Sequence, residues 1–189
     1  MILVFVEHDQ GQADRSSLEA LSAARRVASA AGAAEPVAAV LIGPGAAVGA
    51  ASLAGYGVAE AHVVEDERLS AYAPAGWGRT LAQLAASLAP TIVLAAGTDR
   101  GHEVLAYAAA MSEAPMAANC LEIRPGSPFE VTRQRWGGSL LEEAALDGSP
   151  GAGGARFLTV AEHAFQPEPA SESSPVAAHP FVPTLSETD

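Results

Sequence analysis

The segment Gly97-Thr98-Asp99-Arg100-Gly101-His102-Glu103 joins an apolar run to a helix-like pattern. At such a junction a phosphate or nucleotide can rest on free backbone amides. A Walker-type loop needs a lysine followed by serine or threonine, and all 10 basic residues of this chain are arginine. The dinucleotide fingerprint needs G-x-G-x-x-G after a strand, and neither this turn nor the glycines of 43–57 have that spacing. A looser anion site at the helix N-terminus is left, and Asp99 would oppose an anion there. The turn is therefore expected to be structural.

Other chemistry-bearing residues are scattered. His8, between Glu7 and Asp9, falls at the end of the first apolar run, where a base or a nucleotide contact could sit together with Gly97. No serine or cysteine nucleophile accompanies it in sequence, so it reads as a hydrogen-bonded loop residue. His62, His102, His163 and His179 show no i, i+4 or H-x-H metal spacing. Glu142 and Glu143 are expected to face Arg133 and Arg135 across a hairpin ladder, as charge pairs and not as an acid–base couple. Trp77 and Trp136 read as packing or interface residues. Cys120, the single cysteine, excludes an internal disulfide and reads as a small buried side chain. The residues taken alone define no catalytic, cofactor or metal site.

The elements that would position these residues follow from apolar spacing. Ile2 to Val6 is short, apolar and β-branched, as in a parallel strand buried on both faces. Similar runs occupy 36–43, 61–66 and 91–97. Helical spacing covers 17–31 with Gly32 as stop, 45–58 ending at Gly55 or Gly57, 74–88 between Pro74 and Pro90, and 101–111. This alternation predicts right-handed βαβ units and a parallel sheet with helices on both faces. After Pro115 four strand candidates, 116–123, 129–136, 139–146 and 155–160, follow without helices, so antiparallel strands should extend or flank the sheet. Trp136-Gly137-Gly138-Ser139 is a hairpin turn signal. From 166 to 189 proline, serine and glutamate dominate, which predicts an acidic linker or tail that buries no core, with His179 in a disordered stretch.

The 189 residues suit one domain, and the net charge of -12 argues against nucleic acid while permitting a basic protein partner. The five-residue apolar start turns acidic at once, which reads as a strand and not as a signal peptide or membrane span. A soluble cytoplasmic protein is expected.

Several phrases in order resemble the N-terminal domain of the electron transfer flavoprotein α subunit. They are "ILVFVEH", "AARRVA", "IVLAAGTDRGHEVLAYAAAMSEAPMAANCLEI" with its Ala-Pro bend, "RQRWGGSLLEEAAL" and "RFLTVAEHAFQP", with the acidic run resembling an interdomain linker. The resemblance spans about residues 1–168, and implies a domain over 1–165 followed by a linker or tail over 166–189. It implies an α/β fold: three layers, a mainly parallel sheet of adenine-nucleotide-hydrolase-like or Rossmann-like type, plus C-terminal antiparallel strands. It also implies an electron carrier component, not a catalyst. This would pair with a β-type subunit and serve acyl-CoA-type or other dehydrogenases. FAD would lie in a separate C-terminal domain and not on this chain alone, and AMP on the partner subunit. Arg133, Arg135, Trp136, Gly137 and Gly138 are the expected subunit interface. Tyr107 and the stretch Ala161–Phe165 depart from the family, which usually has arginine, or arginine and glycine, near those places. The alternative is a free-standing adenine-nucleotide-binding domain of universal-stress-protein type, with nucleotide near His8 and Gly97.

Overall fold

The computed structural model describes residues 1–30, 35–146 and 154–186. In chain order the elements are β1 (Ile2–Phe5), β2 (His8–Asp9), β3 (Gln12–Ala13), α1 (Arg15–Ala30), β4 (Val37–Ile42), α2 (Ala46–Ser52) and β5 (Glu60–Val64). They continue as α3 (Pro74–Leu88), β6 (Ile92–Ala96), α4 (Asp99–Met111), β7 (Met116–Arg124), β8 (Glu130–Arg135), β9 (Leu140–Ala145), β10 (Arg156–Val160) and β11 (Ala177–Pro180). Among the described residues one sheet runs in the order β11-β5-β4-β1-β6-β10-β7-β8-β9. The first seven strands of that order are mutually parallel, and β8 and β9 are antiparallel to their neighbours.

The β1 side chains alternate between two cores, because successive Cβ atoms leave opposite faces of a strand. Ile2, Val4 and Val6 pack with Leu21, Ala24 and Val27 of α1 and with Ala46 and Ala50 of α2. Leu3 and Phe5 pack with Leu81 and Leu84 of α3 and with Val104, Leu105 and Ala108 of α4. The result is three layers, with α1 and α2 on one face and α3 and α4 on the other. Helices α3 and α4 cross closely at Gly78, where a Cβ would stand 2.4 Å from Tyr107 Cβ. The chain builds outward from β1 through β4 to β5, then crosses back to place β6 on the other side of β1. The reversal puts the open crevice at the carboxyl ends of β1 and β6.

The structure modifies several expectations. The helix expected over 45–58 is two pieces, α2 and a 3-10 turn at Leu53–Tyr56, closed by Gly57 in the left-handed region (φ 69°). Of the four late strands, β7 and β10 are parallel to the sheet core, and β10 inserts between β6 and β7. Gly32 and most of 148–154 lie outside the described residues.

The tail departs most from expectation. Ala177–Pro180 adds a parallel edge strand beside β5, and Phe181 and Leu185 pack against the α3–α4 core. The strand needs only backbone groups, which any composition supplies. Phe181 N donates to Val63 O at 2.9 Å, and Pro180, with no N–H to offer, sits on the outer edge where none is needed. Before the strand, Glu168 pairs with Arg26 at 2.6 Å on α1; after it, Gln83 and Thr184 exchange side-chain-to-backbone hydrogen bonds at 2.7 and 2.9 Å. The acidic segment is thus a strap around the sheet edge.

Candidate functional site

Glu7 lies two residues past the end of β1 and is 5% exposed. Its Oε1 accepts a hydrogen bond from Thr98 Oγ1 at 2.5 Å, and its Oε2 lies 3.9 Å from Arg100 Nε. Thr98 is the N-cap of α4, and its Oγ1 also accepts from Gly101 N at 2.9 Å. A carboxylate of the chain itself therefore occupies the helix N-terminus where an anionic ligand would be drawn. Burial raises the Glu7 carboxyl above its usual range, while the Thr98 hydrogen bond and the Arg100 charge pull it back down. Asp99 is exposed in the first turn of α4, and Glu7 adds a second, buried acid beside the same turn.

The glycines of the turn serve close backbone approach. A Cβ on Gly101 would stand 2.1 Å from Ala96 O, and one on Gly97 would stand 2.6 Å from Val160 O. The glycines after β4 do the same work. A Cβ on Gly45 would meet Gln10 C at 2.7 Å, because the β2–β3 hairpin lies over the start of α2.

Beyond Arg100 lies a cavity of about 280 Å³, lined among others by His8, Asp14, Gly43, Tyr72, Trp77 and Arg100 but not by Glu7 itself. The Arg100 guanidinium stacks over the Tyr72 ring at 4.9 Å and the Trp77 ring at 5.6 Å. Tyr72 OH donates to Glu103 at 2.8 Å, and burial holds the phenol above its usual range. His8 Nδ1 accepts from Gly11 N at 3.3 Å, which leaves the proton on Nε2. Burial lowers the His8 pKa, and the nearby Asp14 and Asp9 only partly offset it. Trp77 is 6% exposed and its Nε1–H has no acceptor among the described residues.

This constellation has a buried acid and a neutral histidine, and the hydroxyl beside the acid, Thr98 Oγ1, is engaged as the N-cap of α4. Cys120 lies elsewhere, fully buried on β7 opposite Val160 of β10, with its thiol pushed up to about 12 by burial, so it stays protonated. Among the described residues no group of three or more His, Cys, Asp or Glu side chains could hold a metal ion.

The expected interface residues sit together at the far end of the sheet, on the β8–β9 hairpin. Trp136 (φ 51°), Gly137 (φ 60°) and Gly138 (φ 85°) make the turn in left-handed conformations. Trp136 is 83% exposed, with Leu140 at 52% and Leu141 at 62% beside it. Arg133 pairs with Glu142 at 2.5 Å as expected. Arg135, however, stands opposite Leu140, and Glu143 lies opposite Thr132, so the second expected cross-strand charge pair does not form.

Sequence reasoning missed Glu7, Tyr72 and Trp77 as one cluster. Thr98 and Arg100 were visible in the turn, but their partner lies 91 residues away in the chain. The only signal was an acid two residues past a strand with no exposed residue.

The fold and the crevice define a parallel α/β domain of nucleotide-binding shape whose anion position is filled from within. The electron transfer flavoprotein domain model matches residues 2–183, and the chain belongs to that family. It is 30% identical over 171 residues to the electron transfer flavoprotein subunit alpha of Mycobacterium tuberculosis (strain ATCC 25618 / H37Rv), covering 90% of this chain and 50% of that protein. It is 30% identical over 146 residues to Protein FixB of Rhizobium meliloti (strain 1021), covering 74% of this chain and 41% of that protein. The chain thus spans about half the length or less of the curated relatives it matches. No helix among the described residues is long and apolar enough to cross a membrane.

Proposed function

We propose that this chain is the partner-binding scaffold of an α-type electron transfer flavoprotein. It docks a β-type subunit and carries no redox group of its own. Residues 1–165 form the scaffold domain and 166–189 its acidic linker or tail, of which 177–185 straps the sheet edge. In the assembly FAD sits on a separate flavin domain, AMP sits on the β-type partner, and electrons arrive from acyl-CoA-type or other dehydrogenases in the cytoplasm. The chain is an electron-carrier component and not a catalyst.

One observation carries the reading: the ligand end of the central strands is occupied by Glu7, while the large exposed apolar side chains Trp136, Leu140 and Leu141 collect on the hairpin at the β9 edge. A pyrophosphate at the crevice would meet Asp9 and Asp14, with Arg100 as the lining cation already facing the buried Glu7, so these residues do not fit FAD there. The same charges weigh against the adenine-nucleotide alternative. Exposed aromatic and aliphatic side chains flanked by arginine are the usual anchors of protein interfaces.

The test is titration of a co-purified β-type subunit with the wild-type chain and with a Trp136→Ala/Leu141→Ala variant. The variant should bind at least about tenfold more weakly, which is about 1.4 kcal/mol, while its own stability changes by less than about 0.5 kcal/mol. Equal binding by the two proteins would move the interface elsewhere.

A further inference from the structure

The sheet has two edges, and the chain treats them differently. On the β5 side the strap lays down β11, which ends at Pro180 and is flanked by Pro175 and Pro183. A covering segment and proline are the usual means of keeping an edge from pairing with another chain. On the other side β9 has neither. Its six residues hold no proline, pair with β8 in unbroken register without a bulge, and meet no further strand among the described residues. The register shows which backbone groups β9 leaves open. Leu146 N donates to Phe129 O at 2.8 Å, and antiparallel pairs alternate between bonded and non-bonded, so Leu140, Glu142 and Ala144 bond to β8. Leu141, Glu143 and Ala145 therefore turn their N–H and C=O groups outward along the edge. The Glu143 side chain is 81% exposed, and its cation, Arg124, stands 4.0 Å away and is shared with Glu122 and Glu130.

We infer that this edge receives a strand. An extended, basic segment of the β-type subunit adds to β9 and bonds to the backbone of Leu141, Glu143 and Ala145, with an apolar side chain beside Leu141 and a cationic one beside Glu143. The inference rests on the reading of the hairpin as the subunit interface and gives that interface a backbone register. In such an addition the main-chain bonds supply affinity and the side chains at alternate positions supply specificity. Charge selects the occupant: Glu142 and Glu143 line the edge of a chain whose net charge is -12, and a basic segment complements both. A second copy of this chain does not. The two twofold registers of fullest overlap set Glu142 opposite Glu142 or Glu143 opposite Glu143, and like charges directly opposite destabilise a strand pair. The exposed Leu140 and Leu141 at the start of β9, with Trp136 in the turn, give the added strand an apolar anchor.

The experiment uses the full chain, isotopically labelled, alone and saturated with the co-purified β-type subunit, with backbone amide exchange read residue by residue. In the free chain Leu140, Glu142 and Ala144 should exchange slowly and Leu141, Glu143 and Ala145 fast. In the complex the second set should slow by at least about tenfold. Glu143→Pro removes one outward N–H and puts a ring in the path of the added strand, while the bonds from β9 to β8 are kept. It should weaken binding at least about tenfold. Glu143→Gln keeps the N–H and loses the charge, so it should weaken binding less, and only at low ionic strength. Slow exchange of Leu140, Glu142 and Ala144 in the proline variant shows that its hairpin is intact; if proline breaks the hairpin, the exchange pattern of the wild-type complex decides. Edge amides that stay as fast in the complex as in the free chain overturn strand addition. So does wild-type affinity in an intact Glu143→Pro variant. In either case weaker binding by Trp136→Ala/Leu141→Ala leaves the hairpin interface standing, whereas equal binding by that variant together with unprotected edge amides overturns both readings.

Discussion

Thr98→Val removes one oxygen that does two jobs. Oγ1 donates to the buried Glu7 carboxylate at 2.5 Å and accepts from Gly101 N at the start of α4 at 2.9 Å. Losing an N-cap costs about 1 kcal/mol. A hydrogen bond to a charged acceptor is worth about 1.5–3 kcal/mol, and the lower figure applies because half-buried Thr98 leaves room for water. The sum is about 2.5 kcal/mol, or a fall of about 5–10 °C in Tm for a domain of this size. Valine keeps the β-branched shape, and Thr98→Ser keeps the oxygen and should recover most of the loss. The measurement is urea unfolding at several pH values for the single variants and for the double variant with Glu7→Gln. Because the lost bond served an ionised acceptor, the cost of Thr98→Val should shrink by about 1 kcal/mol in the Glu7→Gln background. It should shrink likewise as pH falls through the raised Glu7 pKa. Glu7→Gln alone carries a sign of its own. A carboxyl with a pKa raised above 4.5 stabilises the native state least once ionised, so this variant should gain on the wild type as pH rises from 4.5 toward neutral. A cost for Thr98→Val below about 1 kcal/mol at neutral pH, or one identical in both backgrounds, would refute the plugged-cradle account.

At the strap, His62 and His179 stack at 5.6 Å with Glu60 between them, 3.7 Å from the His62 Nε2 and 3.6 Å from the His179 Nε2. Burial lowers the His62 pKa below 6.5, and α2, which packs on this edge, carries no titratable residue to offset it. The docked strand should therefore lose stability as pH falls below about 6.5, seen as faster hydrogen exchange in 177–181 than in β1, and His62→Gln should flatten that response. Unchanged protection of 177–181 between neutral and acidic pH would exclude the effect. At the α3–α4 crossing, Gly78→Ala should destabilise by about 1–3 kcal/mol in denaturant unfolding, since the new Cβ meets Tyr107 Cβ at 2.4 Å. Tyr107→Ala should not rescue it, because the offending atom remains; Tyr107→Gly should.

The parallel α/β core was legible in the chain because each central strand must be apolar on both faces. Ile2–Val6, 36–43 and 91–97 could hardly be anything else. The hairpin was equally legible, since Gly137 and Gly138 supply the left-handed backbone that the turn uses. Local chemistry decided those elements, and local chemistry is what a sequence writes down. Three features were settled only by the assembled fold. The direction of β7 and β10 depends on which neighbours they meet, and a short apolar strand pairs with either sense. The β11 strap binds through backbone groups at an open sheet edge, and its acidic, proline-rich composition conceals that capacity. The filled cradle arises because the crossover brings Thr98 and Arg100 to the end of β1, where Glu7 already stands. Read along the chain, Glu7 is one acid among 22 acidic residues; in the fold it is the anion that the α4 N-terminus receives.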